Sequence, residues 1–287
     1  MPGPFDLDDA RAYRDWREQK LARYPSRIQV VDLRDPKKLN ASEHAALVDG
    51  CARANMAIYR SPATQEDKDI PRLLGLQLGL EHLDGNYLAD DDGISSITPG
   101  PGTRGEFIPY TDRAIGWHTD GYYHPETRRI RAMLLHCVRD AIEGGESALL
   151  DHELAYILLR DENPEHVRAL SAPDALTIPP RLEGESVARP AESGPVFSVE
   201  SPGGALHMRY TARGVNIAWK DDAATRAARA SLERILAADS PHVFRLRLQP
   251  GMGIVCNNVL HARTGFRDAP QRRRLLYRAR YYDRVAA

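Results

Sequence analysis

Cysteine is scarce in this chain of 287 residues, and the three present, Cys51, Cys137 and Cys256, are scattered and odd in number. That pattern argues against a disulfide-stapled secreted domain and offers no cysteine knuckle for a metal. Charge of one sign is also missing. Thirty-nine basic and 40 acidic residues leave a formal net charge of -1, with neither a basic nor an acidic tail, so no global electrostatic reason to bind nucleic acid exists. The most apolar runs, 73–80 and 132–138, fall far short of the ~20 residues that cross a bilayer. The start, MPGPFDLDDARAY, lacks the basic-then-apolar pattern of a signal peptide, which leads us to expect a cytoplasmic protein. Neither GxGxxG nor GxxxxGK[ST] occurs, and no repeat or coiled coil is visible, which removes support for a nucleotide-binding doubly wound sheet.

What is present, 42% hydrophobic and 28% charged residues, is enough for one large core. Helices are expected over 7–24, with Asp6 as N-cap, and over 44–59 after Ser42; a weaker one over 66–80 is interrupted by Pro71 and Gly75. The stretch 90–105 reads as a long loop. Short strands are expected at 106–110, 131–138, 147–150, 196–199, 206–210, 243–248, 253–256 and 275–282. The clearest helix, 221–238, has Ala224, Ala228, Leu232, Ile235 and Leu236 on one face and reads as an insertion on the outside of the sheets. The loop 179–195, rich in Gly, Glu, Ser and Pro, is expected to form a flexible lid or rim. The expectation is one catalytic domain spanning 1–287: a helical part over about 1–104, then a β core over about 105–287 with the helical insertion at 221–238.

The strongest chemical signal is Trp117-His118-Thr119-Asp120. In an extended backbone His118 and Asp120 project the same way, so an imidazole and a carboxylate reach one ion. A further histidine completes a 2-His-1-carboxylate triad, which suits non-haem Fe(II) and leaves positions open. Alone, HxD arises easily by chance and fits a hydrogen-bonded loop equally well. The segment 257–266, NNVLHARTGF, supplies His261 beside polar groups able to orient it. Thirteen residues on lies Arg274; strand alternation puts it on one face with Leu276, Arg278 and Arg280. A guanidinium entering a barrel needs a partner, and a small carboxylate can supply one; the alternative is a solvated edge strand whose charges prevent aggregation.

At these residues the sequence resembles the iron(II)/2-oxoglutarate-dependent oxygenases of the taurine dioxygenase and gamma-butyrobetaine hydroxylase group. The likeness spans roughly 105–282 and rests on WHTDG at 117–121, GGESALLD at 144–151, NNVLHARTGF at 257–266 and RRLLYRARY at 273–281, four segments in the family's order. The resemblance implies a mainly β fold with flanking helices, a double-stranded β-helix or cupin-like jelly roll. It implies that His118, Asp120 and His261 bind iron, that Arg274 and Ser147 hold the distal carboxylate of 2-oxoglutarate, and that Arg278 meets an acidic group of the primary substrate. Arg263, and Asn258 beside it in the same segment, are expected to support the ligands from behind. The cofactors implied are Fe(II), 2-oxoglutarate and O2. The reaction implied is hydroxylation of an unactivated C–H bond of a small polar, acidic metabolite such as an amino acid or betaine, with release of succinate and CO2; desaturation or demethylation stays open. Tyr122, Arg209 and Tyr210 are further substrate candidates, although buried aromatics in β proteins often serve only packing.

Ala114 stands where taurine dioxygenase has an asparagine, which counts against taurine, and the cysteine-rich zinc module of gamma-butyrobetaine hydroxylase is lacking. Competing readings are a non-enzymatic small-molecule binder or sensor on the same scaffold and a Zn(II) hydrolase, since zinc accepts the same ligands. The expected partner is a small molecule, not nucleic acid or membrane, and self-association through the N-terminal helices is left open.

Overall fold

The structure, a computed structural model, describes residues 3–85, 89–100, 105, 107–184, 186–201, 203–215 and 217–285. Two compact units emerge, and the chain passes between them several times: Met1–Tyr24, Trp117–Arg129 and Leu150–His242 form the first, and Pro25–Gly116, Ile130–Leu149 and Val243–Ala287 the second.

Most residues of the two large sheets fall in the second unit. Ten strands matter for the site: β1 (Val30–Asp32), β2 (Met56–Arg60), β3 (Ser95–Ile97), β4 (Ile115–His118), β5 (Ala132–Arg139), β6 (Ser147–Leu150), β7 (Phe244–Leu246), β8 (Met252–Cys256), β9 (Leu260–Arg263) and β10 (Leu275–Tyr281). A six-stranded sheet runs β1-β2-β8-β5-β10-β3, and a four-stranded sheet runs β7-β6-β9-β4, the pair that makes the jelly roll. Helices α1 (Ala10–Arg23), α2 (Ala41–Ala54) and α3 (Asp69–Gln77) alternate with β1, β2 and β3 along the chain. Leu47 and Cys51 of α2 and Leu74 of α3 share one core cluster with Tyr59, Leu134, Val255, Leu275, Tyr277, Ala279 and Tyr281. The odd positions of β10 therefore face these helices, which turns Leu276, Arg278 and Arg280 to the opposite face.

The N-terminal third is less purely helical than expected, since β1, β2 and β3 contribute three of the six strands of the main sheet. The helix expected over 44–59 stops at Ala54, because Asn55 takes the left-handed conformation at φ 54° and hydrogen-bonds back to the helix. Residues 56–60 then pair antiparallel with β8. At the other end Asn40 and Glu43 form a reciprocal cap. In α1 the cap is Asp9, whose carboxylate accepts from Ala12 N, not Asp6. The expected strand at 106–110 is replaced by a 3-10 turn at Ile108–Tyr110, where Pro109 has no N–H for a ladder; Glu106 lies outside the described residues. The loop 90–105 contains β3, and its residues 101–104 are also outside the described set.

In the first unit α4 (His152–Glu162), α5 (Pro164–Leu170) and α6 (Ala223–Ala237) pack together, so α6 lies against helices and not on the outside of the sheets. Its buried face is Thr225, Ala228, Ser231, Leu232, Ile235 and Leu236, while Ala224 is exposed. Helix α1 joins them: Tyr13 donates to Asp161 at 2.7 Å, and Lys20 pairs with Asp151 and Glu153 at 2.6 Å each. The expected rim loop 179–195 is a hairpin of Arg181–Glu183 and Ser186–Arg189 followed by the short strand Glu192–Gly194. No helix among the described residues is long and apolar enough to cross a membrane.

Candidate metal centre and its surroundings

The segment carrying His118 and Asp120 is held by its neighbours in sequence-distant backbone. Ala212 N donates to the Trp117 carbonyl at 2.8 Å and Thr119 N to the Tyr210 carbonyl at 3.0 Å, while Tyr210 N donates to Thr119 Oγ1 at 3.1 Å. The Trp117 indole N–H donates to the Leu236 carbonyl at 2.9 Å. These bonds extend the β4 geometry through Asp120 before Gly121 turns the chain at φ +68°. Thr119, fully buried, was not singled out from the sequence; a hydroxyl between two ligands of an HxD motif was its only signal.

His261 sits in β9. Its Nδ1 lies 3.0 Å from the Val259 carbonyl. A carbonyl only accepts, so Nδ1 carries the proton and Nε2 is the lone-pair nitrogen, the tautomer a metal requires. Upstream, Asn258 occupies φ 50° and donates from Nδ2 to the Ile130 carbonyl at 2.7 Å, fixing the turn that feeds β9. β4 and β9 are adjacent in the four-stranded sheet. One ligand atom from each of His118, Asp120 and His261 lies within 4.8 Å of the others. Two imidazole nitrogens and one carboxylate oxygen fit a facial Fe(II) site, and by donor type alone also zinc.

A socket of buried cationic side chains lies in the second unit. Arg274 is 5% exposed, and its guanidinium donates no hydrogen bond to any described residue; only its backbone N–H is used, donating to Asp268 at 2.9 Å. The guanidinium lies 5.0 Å from the Phe266 ring centroid, and Arg263 stands 4.7 Å from the same ring. Burial lowers the Arg274 pKa from its ordinary value. Arg263 is pushed down to about 9, first by burial and then by the charge of Arg274. Arg263 donates to the carbonyls of Thr111 and Arg113 at 2.8 and 2.6 Å. Gly144 and Gly145 border the socket with φ +70° and +72°; a Cβ on Gly144 would sit 2.2 Å from the Gly265 carbonyl oxygen. Ser147, buried in β6, opens the strand that follows. Two buried cations so close together are stabilised by a bound anion.

The first unit contains a partly open cavity lined by Asp120, Tyr122, His124, Arg129, His207 and Arg209, among others. Arg209 is largely committed to the backbone. Its Nε donates to Tyr122 O at 2.7 Å, Nη1 to Leu176 O and Gly194 O at 2.8 and 3.3 Å, and Nη2 to Glu192 O at 2.8 Å. Four of five N–H groups are thus used, so its main work is to tie three segments together. Tyr122 borders the cavity, with its hydroxyl accepting from Arg213 at 3.0 Å. Tyr210, expected from the sequence as a substrate contact, has its ring buried beside Trp219, centroids 6.3 Å apart, is not among the residues lining this cavity, and clamps Thr119 through its backbone. Arg278 is half-buried in β10, in register with Leu135 and Ser95.

Comparison with known proteins bears on this arrangement. The model of the taurine catabolism dioxygenase TauD, TfdA family matches residues 5–280. Two curated relatives are named uridine-5'-phosphate dioxygenase: one from Amycolatopsis sp, 34% identical over 58% of this chain, and one from Streptomyces sp, 33% identical over 66%. The matches span 60% and 69% of those proteins. Among solved structures, asparagine oxygenase in complex with Fe(II), hydroxyasparagine and succinate superposes at a TM-score of 0.61 with 17% identity, covering 84% of this chain and 79% of that one. Non-heme iron oxygenase OrfP in complex with Fe and alpha-ketoglutaric acid gives 0.61 with 14% identity, covering 88% and 93%. With a family model matching nearly its whole length, the chain belongs to the TauD/TfdA dioxygenase family.

Proposed function

We propose that the chain acts over its whole length as one catalytic domain, an Fe(II)/2-oxoglutarate-dependent dioxygenase that hydroxylates a C–H bond of a small acidic substrate. The balance is R–H + O2 + 2-oxoglutarate → R–OH + succinate + CO2. The observation that carries this reading is Arg274: a guanidinium buried in a β barrel, stacked on Phe266, with no carboxylate accepting from it among the described residues. A zinc hydrolase has no need of such a socket, and a dicarboxylate co-substrate does.

Bound Fe(II), with 2-oxoglutarate and O2, supplies the oxidising power. The residues of the chain do the rest. His118, Asp120 and His261 hold the ion, and the Val259 carbonyl keeps His261 in the ligating tautomer. Arg274, with Ser147 beside the Gly144–Gly145 turn, grips the distal carboxylate of the co-substrate, and Arg263 keeps Phe266 in place beneath it. Asn258 fixes the approach of β9. The cavity beside Asp120 admits the primary substrate, Tyr122 forming part of its wall. Arg278 is retained as a candidate for the substrate's acidic group. The names of the two curated relatives favour a phosphorylated nucleoside over an amino acid or betaine. The balanced charge supports a small-molecule substrate over a nucleic-acid partner, and the scattered cysteines support a reducing, cytoplasmic compartment.

Anaerobic titration with Fe(II) and 2-oxoglutarate, followed by visible absorption, tests the assignment, because the chelate gives a charge-transfer band that neither a zinc enzyme nor an inert scaffold produces. Admission of O2 should then form succinate in an Fe(II)-dependent way, faster with uridine 5'-monophosphate present. A folded protein that binds Fe(II) yet forms no succinate overturns the proposal.

A further inference from the structure

Among the described residues, one charge that lines the cavity has no buried carboxylate paired with it. The Arg129 side chain is 11% exposed, and its ion-pair partner, Glu126 at 2.9 Å, is 78% exposed. A guanidinium removed from water while its carboxylate stays in water is a poorly compensated arrangement, since an exposed carboxylate contributes little through solvent. Both residues line the cavity, as do Ser193, whose hydroxyl is 2.8 Å from that of Thr177, and Ser198. Arg209 lies on the same wall and keeps one N–H beyond the four given to carbonyls. Its pKa is pushed down to about 10, chiefly by burial, with Arg129 and Arg189 adding to the effect and Glu192 opposing it. The positive field of Arg129 therefore reaches Arg209. On the acidic side the lining offers Glu126, Glu192 and Asp120, and Asp120 is assigned to the metal.

We infer that Arg129 is the specificity-determining contact for the anionic end of the primary substrate, that this end is a phosphomonoester, and that Glu126 is the placeholder carboxylate it displaces. The inference rests on the oxygenase reading above and names the substrate class of that same enzyme. A phosphomonoester carries close to two negative charges at neutral pH and three acceptor oxygens. It can take two parallel N–H bonds from Arg129, the remaining N–H of Arg209 and a serine hydroxyl together, whereas a monocarboxylate leaves part of that set unanswered. Glu126 can leave easily because its carboxylate is already in water and sits on a single 3-10 turn, Glu126–Arg128.

The test is calorimetric titration of the Fe(II)- and 2-oxoglutarate-loaded full chain, under anaerobic conditions, with uridine 5'-monophosphate, ribose 5-phosphate and uridine. Wild type should bind the two phosphates and prefer the nucleotide to uridine. Arg129→Ala should reduce that preference about ten- to hundredfold, the size of a lost charge-assisted pair. Arg129→Lys should recover only part of it, because an ammonium lacks the fork. Glu126→Gln, at an exposed position that folding does not depend on, should tighten binding of both phosphates severalfold and leave uridine unchanged. An Arg129→Ala protein with the wild-type preference overturns the inference. So does a Glu126→Gln protein with unchanged or weaker phosphate affinity, or a wild type that binds neither phosphate. The two readings fail separately: absence of Fe(II)-dependent succinate refutes the oxygenase assignment, whereas equal affinity for nucleotide and nucleoside refutes only the role of Arg129.

Discussion

Replacing Arg274 with methionine separates a binding role from a structural one. The side chain is 5% exposed and its guanidinium makes no hydrogen bond within the described protein, so the folded state bears a desolvation cost without a compensating partner. Methionine keeps the stem and can still lie on the Phe266 ring. Without co-substrate, the variant should therefore be as stable as wild type or more so, read as the midpoint of chemical denaturation. Affinity should move the other way. A charge-assisted interaction with a carboxylate contributes about 1.5–3 kcal/mol, which is roughly a ten- to 150-fold rise in the dissociation constant of 2-oxoglutarate. Anaerobic titration of the Fe(II)-loaded protein measures that constant directly. Saturating 2-oxoglutarate should also raise the melting temperature of wild type more than that of Arg274→Met, because a ligand stabilises only in proportion to its affinity for the folded state. A variant that loses several kcal/mol of stability while binding 2-oxoglutarate normally would refute the argument, since Arg274 would then be part of the scaffold.

Other substitutions probe the elements that carry the site. Gly144→Ala should cost more than Gly145→Ala in denaturant midpoint: both pay about 1–2 kcal/mol for a left-handed backbone, but only at Gly144 does the added carbon meet a backbone oxygen, at 2.2 Å, while at Gly145 the nearest atoms are an ordinary 3.5 Å away. Asn258→Gly keeps the positive φ and loses the bond to Ile130, and Asn258→Ala loses both, so alanine should be the worse by about 1 kcal/mol in the same assay. Lys20→Met leaves the buried Asp151 and the partly exposed Glu153 without their cation and should destabilise by about 3–5 kcal/mol. Burial alone would lower the Lys20 pKa, but the two carboxylates overrule it and the net direction is upward. A raised folded-state pKa means that this stabilisation is complete at neutral pH and fades as pH climbs past the ordinary lysine value. Thermal melts should show wild type losing stability in that alkaline range and Lys20→Met losing less.

Much of the candidate site was legible in the chain because metal ligation demands particular atoms: the HxD pair, the histidine of NNVLHARTGF and the alternation of the last strand are local patterns. Several local signals went unread as well. Asp151 caps α4, and Asn163 with Pro164 opens α5, signatures that mark helix starts without any tertiary information. β2 was hidden differently. Its residues continue an apolar pattern compatible with helix, and what ends α2 is one asparagine turning left-handed where Asn257 donates into it, 202 residues away.

The sequence by itself determined the chemistry, since which side chains can ligate, donate or carry charge is a property of residue type. Only the tertiary structure decided which of those groups are spent and which remain. Arg209 and Tyr210 looked as available as Arg274, and Arg129 drew no notice, yet carbonyls consume most of Arg209 and core packing takes the ring of Tyr210. Arg274 and Arg129 are left buried with a charge that the fold does not neutralise well. A hydrogen bond to a distant backbone and the loss of solvent around a cation both depend on residues far apart in the chain, and spacing along it carries no record of either.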